Sequence, residues 1–166
     1  VAIGRHAMAD NTTGNSNVAI GHQALDDNTT ASGNVAIGNH ACMNNHNGSN
    51  LVAVGDQALE NLGTSSSNNT AIGAHAMQDT TSSENCVAVG SYALENNTTG
   101  GNNTAVGHIA LQDTTTGNSN VAVGTYALQQ NTTGSNAVAV GYQALSGNTS
   151  GASNVALGNG SLRENT

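Results

Sequence analysis

Apolar and polar positions alternate along this chain inside a much longer period. The tetrapeptide Val-Ala-Ile-Gly begins at Val1, and variants of it begin at Val18, Val35, Val52, Thr70, Val87, Thr104, Val121, Val138 and Val155. Every step is 17 residues except the one after Val52, which is 18. Self-similarity of this kind marks a repeat architecture. The period leaves no room for a compact domain between copies, so residues 1–166 read as one repeating unit.

Aligned copies give columns. Column two is always Ala and column four always Gly, while column three is Ile, Val or Leu and column one Val or Thr. Column eight is Leu in most copies, with Met8, Cys42 and Met77 as exceptions. The rest is polar, typically Asn-Thr-Thr-Gly-x-Ser-Asn, as at Asn11 to Asn17. The first three columns alternate with a period of two, which predicts a strand. Val and Ile suit a pleated surface. The Asn-Thr-Thr-Gly stretch is turn chemistry, and column eight predicts a second short strand or a bend returning over the first.

Each copy therefore reads as one coil of an all-β parallel β-solenoid, about ten 17-residue coils in all. Like columns then stack at about 4.7–4.9 Å. The Asn column at Asn17, Asn34, Asn69, Asn103, Asn120 and Asn154 predicts a ladder bonded amide to amide. The strand core is expected at Val18, Ile20, Leu25, Val121, Val123 and Leu128. A nearly side-chain-free strip for close approach of a neighbour is expected at Ala19, Gly21, Ala122 and Gly124. Copy four should absorb its extra residue in the outer loop without shifting strand register.

Composition changes the picture in one respect. Leu, Ile and Val make 28 residues, about 17%, and Phe and Trp are absent; this falls under the roughly 20% usual for a chain that builds its own core. Composition alone would place the chain among disordered sequences, and the repeat overrules it. With so few large apolar side chains per coil, a homo-oligomer is expected. Arg5 and Arg163 are the only cations besides His, so no nucleic-acid surface is expected. No apolar run reaches the length of a membrane span, so no membrane insertion is expected. The chain starts without Met and with no leader-like segment, and reads as a piece of a longer fibre.

Val-Ala-Ile-Gly preceded by Asn-Ser-Asn, as at Asn15 to Gly21, resembles the head repeats of YadA-like trimeric autotransporter adhesins. The longer form, Asn-Thr-Thr-Gly-x-x-Asn-[Val/Thr]-Ala-Val-Gly-x-x-Ala-Leu, is similar to repeats in phage tail-fibre proteins. The resemblance covers the whole chain. It implies a left-handed β-roll, a homotrimer, and an extracellular place on a cell surface or virion fibre. The expected role is a stiff spacer or head that presents loops to a glycan or protein receptor on a host surface. The period here is longer than is usual in adhesin heads, which predicts a larger outer loop.

The remaining residues suggest little chemistry. Column six carries Tyr92, Ile109 and Tyr126 on successive coils, the best contact stripe in a chain so poor in large side chains. Protomer interface and receptor patch are its two readings. His6, His40 and His75 share that column two coils apart, too far for one chain to build a zinc site from them. Carboxylates in columns nine and ten, such as Asp26, Glu60 and Glu95, read as a solvated edge. Cys42 and Cys86 fall in different columns, too far apart for a disulfide. Ten Asn-x-Ser/Thr sequons occur, including Asn28, Asn97 and Asn131, as expected by chance in a chain rich in these residues. No catalysis, metal or cofactor is expected. The alternative function is an ice-binding solenoid using the pairs Thr12-Thr13, Thr29-Thr30 and Thr98-Thr99.

Overall fold

The computed structural model describes residues 1–63 and 66–165. It contains ten short strands: β1 (Ala2–Ile3), β2 (Val18–Ile20), β3 (Val35–Ile37), β4 (Val52–Val54), β5 (Thr70–Ile72), β6 (Val87–Val89), β7 (Thr104–Val106), β8 (Val121–Val123), β9 (Val138–Val140) and β10 (Val155–Leu157). All ten form one parallel sheet in sequence order. Ala19 lies beside Ala36, and Ala122 beside Ala139, in strict column register. No helix occurs among the described residues, and the chain is an all-β parallel β-solenoid of about nine turns.

Copy four keeps the register. Val52 sits beside Thr70 and Ala53 beside Ala71, and Leu51 and Asn69 each end their coil in a buried position. Thr64 and Ser65, in the loop that carries the extra residue, lie outside the described residues.

The strand faces the opposite way from the sequence expectation. Ala19 and Ala122 are fully buried inside the coil, as are Leu25 and Leu128. Val18, Ile20 and Val121 are only partly buried, and Val123 is 37% exposed. The four β-branched residues therefore lie on the outer face of the sheet. The physical reason is width. Alternation sends columns one and three to one side and column two to the other. The return stretch already places Ala24 and Leu25 inside. Val and Ile added there would overpack it, so the small residue turns in and the branched ones turn out.

Beyond column four the backbone is not a second strand but a bend with alternating handedness. Column six and column eight both take positive φ, for example Gln23 at 51° and Leu25 at 55°. Gly21 and Gly124 turn the corner before it with φ of 137° and 133°, and a Cβ at Gly124 would meet the carbonyl of Gly141 one coil on. Glycine at column four is therefore required by packing within the stack.

Two asparagine columns finish the interior. Column seventeen does not bond amide to amide along the stack; its one amide–amide contact, Asn154 Nδ2 to Asn148 Oδ1 at 3.4 Å, lies within a coil. Asn120 Oδ1 accepts from the Ala137 N–H at 2.9 Å, and its Nδ2 donates to the Gly134 carbonyl at 2.8 Å. Asn34 does the same with Leu51 and Gly48. The side chain thus satisfies backbone groups that a loop inside a coil would leave orphaned. Column eleven is the amide ladder proper: Asn28 Nδ2 donates to Asn11 Oδ1 at 2.7 Å, and Asn148 Nδ2 to Asn131 Oδ1 at 3.0 Å. Thr114 interrupts that ladder. It leaves Asn97 Oδ1 and its own Oγ1 buried with no partner. Thr114→Asn should repair both and raise the unfolding free energy by about 1–3 kcal/mol, the cost of a buried unsatisfied polar group. A urea denaturation curve would show it, and an unchanged midpoint would refute the ladder's contribution.

Candidate functional site

Two surfaces stand out on this stack. The first is the outer face of the sheet, where columns one and three present Val, Ile or Thr from nearly every strand. Ile72 is 40% exposed, and Val106 and Val123 are each 37% exposed. Alternation keeps this face free of the polar side chains of the loops. The result is a flat apolar ladder following the long axis, larger than the isolated apolar residues that soluble surfaces normally carry. The sequence-expected strip of Ala19 and Ala122 does not serve this purpose, because both alanines are inside.

The second is an aromatic stripe at the corner after the sheet. Tyr92, Ile109 and Tyr126 are half-buried there. The structure adds His108 and Tyr142 from column five and His75 from column six. Ring centroids lie 4.9 Å apart for His75 and Tyr92, 6.2 Å for Tyr92 and His108, 5.8 Å for His108 and Tyr126, and 6.1 Å for Tyr126 and Tyr142. Sequence reasoning missed His108 and Tyr142 because adjacent residues of a strand point to opposite faces. Column six is not extended: Tyr92 has φ 59° and Tyr126 φ 61°, which brings columns five and six to one side. Ile109 has φ 62°, a genuine outlier for a β-branched residue. The available signal was the presence of His and Tyr in column five itself.

The polar columns bond along the stack rather than converging on a centre. Glu60 is nearly buried, with His40 Nδ1 3.2 Å from its Oε1 and Gln78 Nε2 donating to its Oε2 at 2.8 Å. Gln112 Nε2 donates to Glu95 at 2.6 Å, and Asn61 Nδ2 to Asp79 at 2.8 Å. No group of three or more His, Cys, Asp or Glu placed to hold a metal ion occurs among the described residues. A shallow polar groove of about 270 Å³ beside Gln129, Gln143, Arg163 and Glu164 contains a single carboxylate. Cys42 is fully buried, and desolvation pushes its thiol up to about 12. Burial also raises the Cys86 thiol, against hydrogen bonds that include the Asn103 N–H. Both thiols are free. Among the described residues, no helix is long and apolar enough to cross a membrane.

Comparison with protein families, with curated proteins and with solved structures finds no match to this chain.

Proposed function

We propose that this chain is a segment of an extracellular fibre, on a cell surface or a virion, in which three copies associate side by side. The observation that carries the reading is the outward Val/Ile ladder, present along the whole stack and continuous with the sheet. Such a face gains apolar burial with every added coil. The loss of translational and rotational freedom on association, about 4–15 kcal/mol, arises only once. Long stacks therefore favour association. The resemblance of Asn15 to Gly21 to adhesin heads supports the threefold symmetry and the left-handed winding. Uniform coils with backbone hydrogen bonds along the axis supply stiffness, which suits a spacer or head that holds loops and edges away from its anchorage. The polar columns bond mainly along the stack, and the one His–carboxylate contact described, His40 with Glu60, is tied up with Gln78, which supports a non-enzymatic role.

The test is the solution mass of the chain by light scattering. Ile72→Lys, Val106→Lys and Val123→Lys together should turn a trimer into monomers while leaving the circular dichroism of the solenoid intact. A wild-type monomer at micromolar concentration, or a charged triple variant that remains trimeric, would refute the proposal.

One observation favours the ice-binding alternative: Thr99, Thr116 and Thr133 are exposed in one column on successive coils, as are Thr13 and Thr30 on the first two, with Asn47 and Ser82 in that column between the two groups. The neighbouring file weighs against it, since the Thr98 and Thr132 hydroxyls already donate to the Thr115 and Thr149 carbonyls at 2.8 and 2.9 Å. Thermal hysteresis by the purified chain would support it over the fibre.

A further inference from the structure

Columns five and six are where this stack stops repeating. In coils two to four they hold His22, Gln23, Asn39, His40, Asp56 and Gln57; in coils five to nine they become the aromatic stripe. A face built for self-association follows the translational repeat, as the Val/Ile ladder does. Histidine rings occur earlier, where His22 and His40 lie 5.4 Å apart at 39°, but tyrosine is confined to coils six to nine, and a feature so confined points instead to recognition of something that is not another copy.

The ring geometry narrows the ligand. His75 and Tyr92 stack with their planes 2° apart at 4.9 Å, about one coil height. His108 is turned 82° from Tyr92. Tyr126 stands at 82° to His108 and Tyr142 at 85° to Tyr126, continuing the herringbone. His108 is exposed and Tyr142 is 48% exposed. They occupy the same column two coils apart, about 9–10 Å by the interstrand spacing, with Tyr126 braced between them. That separation matches the disaccharide unit of an extended β-1,4-linked sugar chain, whose apolar ring faces pack on aromatic rings while its hydroxyls meet polar tips. Thr125 stands between His108 and Tyr142 in column five, and Gln143 follows Tyr142 in column six, polar residues of the kind that bond such hydroxyls. Columns five and six of coils five to nine hold no Asp, Glu, Lys or Arg, so the stripe offers no partner to a charged ligand, and the net charge of −8 disfavours polyanions.

We infer that the stripe binds an extended, uncharged β-1,4-linked oligosaccharide lengthwise, with alternate sugar rings on His108 and Tyr142. The inference names the receptor class for the displayed fibre proposed above, and rests on that reading for its setting. The binding itself is a property of the chain and is measured separately from assembly.

The experiment is calorimetric titration of the full chain with cellohexaose and with chitohexaose, using maltohexaose as a bent α-linked control of equal length. At least one β-linked probe should bind and maltohexaose should not. Tyr142→Asn and Tyr126→Gln place in columns five and six residues that those columns already hold at Asn39 and Gln23. Each should weaken binding at least tenfold, with mass and melting temperature unchanged. His22→Ser, outside the stripe, should leave binding intact. The inference is overturned if neither β-linked probe binds, if maltohexaose binds equally well, or if the Tyr variants lower the oligomeric mass, which would make the stripe a protomer contact. A wild-type monomer that still binds a β-linked probe would support this inference while refuting trimeric assembly.

Discussion

Gly107→Ala is expected to break the stack in its middle. The backbone there has φ 138°, a region close to glycine-only, where another residue costs about 1–3 kcal/mol. A Cβ at that position would also lie 2.6 Å from the carbonyl carbon and oxygen of Gly124 in the next coil. Both are backbone atoms of a residue pinned on both sides, its N–H donating to the Val106 carbonyl at 2.8 Å and its carbonyl accepting from the Ala127 N–H at 3.2 Å. The clash cannot be relieved by a rotamer change, and separating the coils adds about 1–3 kcal/mol or more. The total loss should exceed about 3 kcal/mol. Gly158→Ala is the internal control. Its φ is 121°, yet a Cβ there would meet nothing within 4 Å, so only the conformational part remains. Hydrogen exchange across coils seven and eight would report the difference. Equal protection in the two variants would mean that coil contact at column four contributes nothing.

The second large effect tests which side of the strand is inside. Leu111 is fully buried in column eight, in the same file as Leu94 and Leu128. Leu111→Ala should cost about 2–5 kcal/mol, because a coil stacked on both sides has little room to collapse into the cavity. Val106→Ala, on the outer face at 37% exposure, should cost the isolated protomer under about 1 kcal/mol, since it removes little buried surface. Its immediate neighbour behaves in the opposite sense. Ala105 is fully buried, and Ala105→Val should destabilise by about 1–3 kcal/mol through overpacking. Denaturation midpoints of the three variants would order them. If Val106→Ala proved the costliest in a monomeric sample, the inward alanine column would be refuted.

That reversal shows where the sequence speaks and where it stops. The 17-residue spacing determined which residues stack, and the observed pairing of Val121 with Val138 and Ala122 with Ala139 follows it. Leu25 and Leu128 were legible as interior residues, since an isolated apolar column in a polar stretch has few other roles. The side on which Val18 and Ile20 lie was not legible. A period of two specifies that neighbours oppose each other, but the direction depends on how wide the closed coil is, and that is set by the bend at Ala24 and Leu25. The aromatic stripe was half legible. Tyr92 and Tyr126 appear in one column, while His108 and Tyr142 join them only because column six adopts positive φ, a feature that Ile109 would not have suggested. Asn120 stands in a repeating asparagine column, as the period predicts, but the amide-to-amide ladder expected there does not form: its amide serves the backbone of the following coil.

That choice of partners gives the stack a direction. Asn17 meets the Asn34 N–H and the Ala31 carbonyl, both later in the chain. Asn103 likewise reaches forward to Asn120 and Gly117. A coil that ends in asparagine thus holds out a ready-made template to the segment that follows, as a nascent polypeptide would need when it emerges from the ribosome amino-terminus first. Shortening from the carboxyl end by whole repeats should leave the earlier turns with every forward-reaching asparagine but the last still engaged, whereas removing turns from the front deletes the surface on which the next one is laid down.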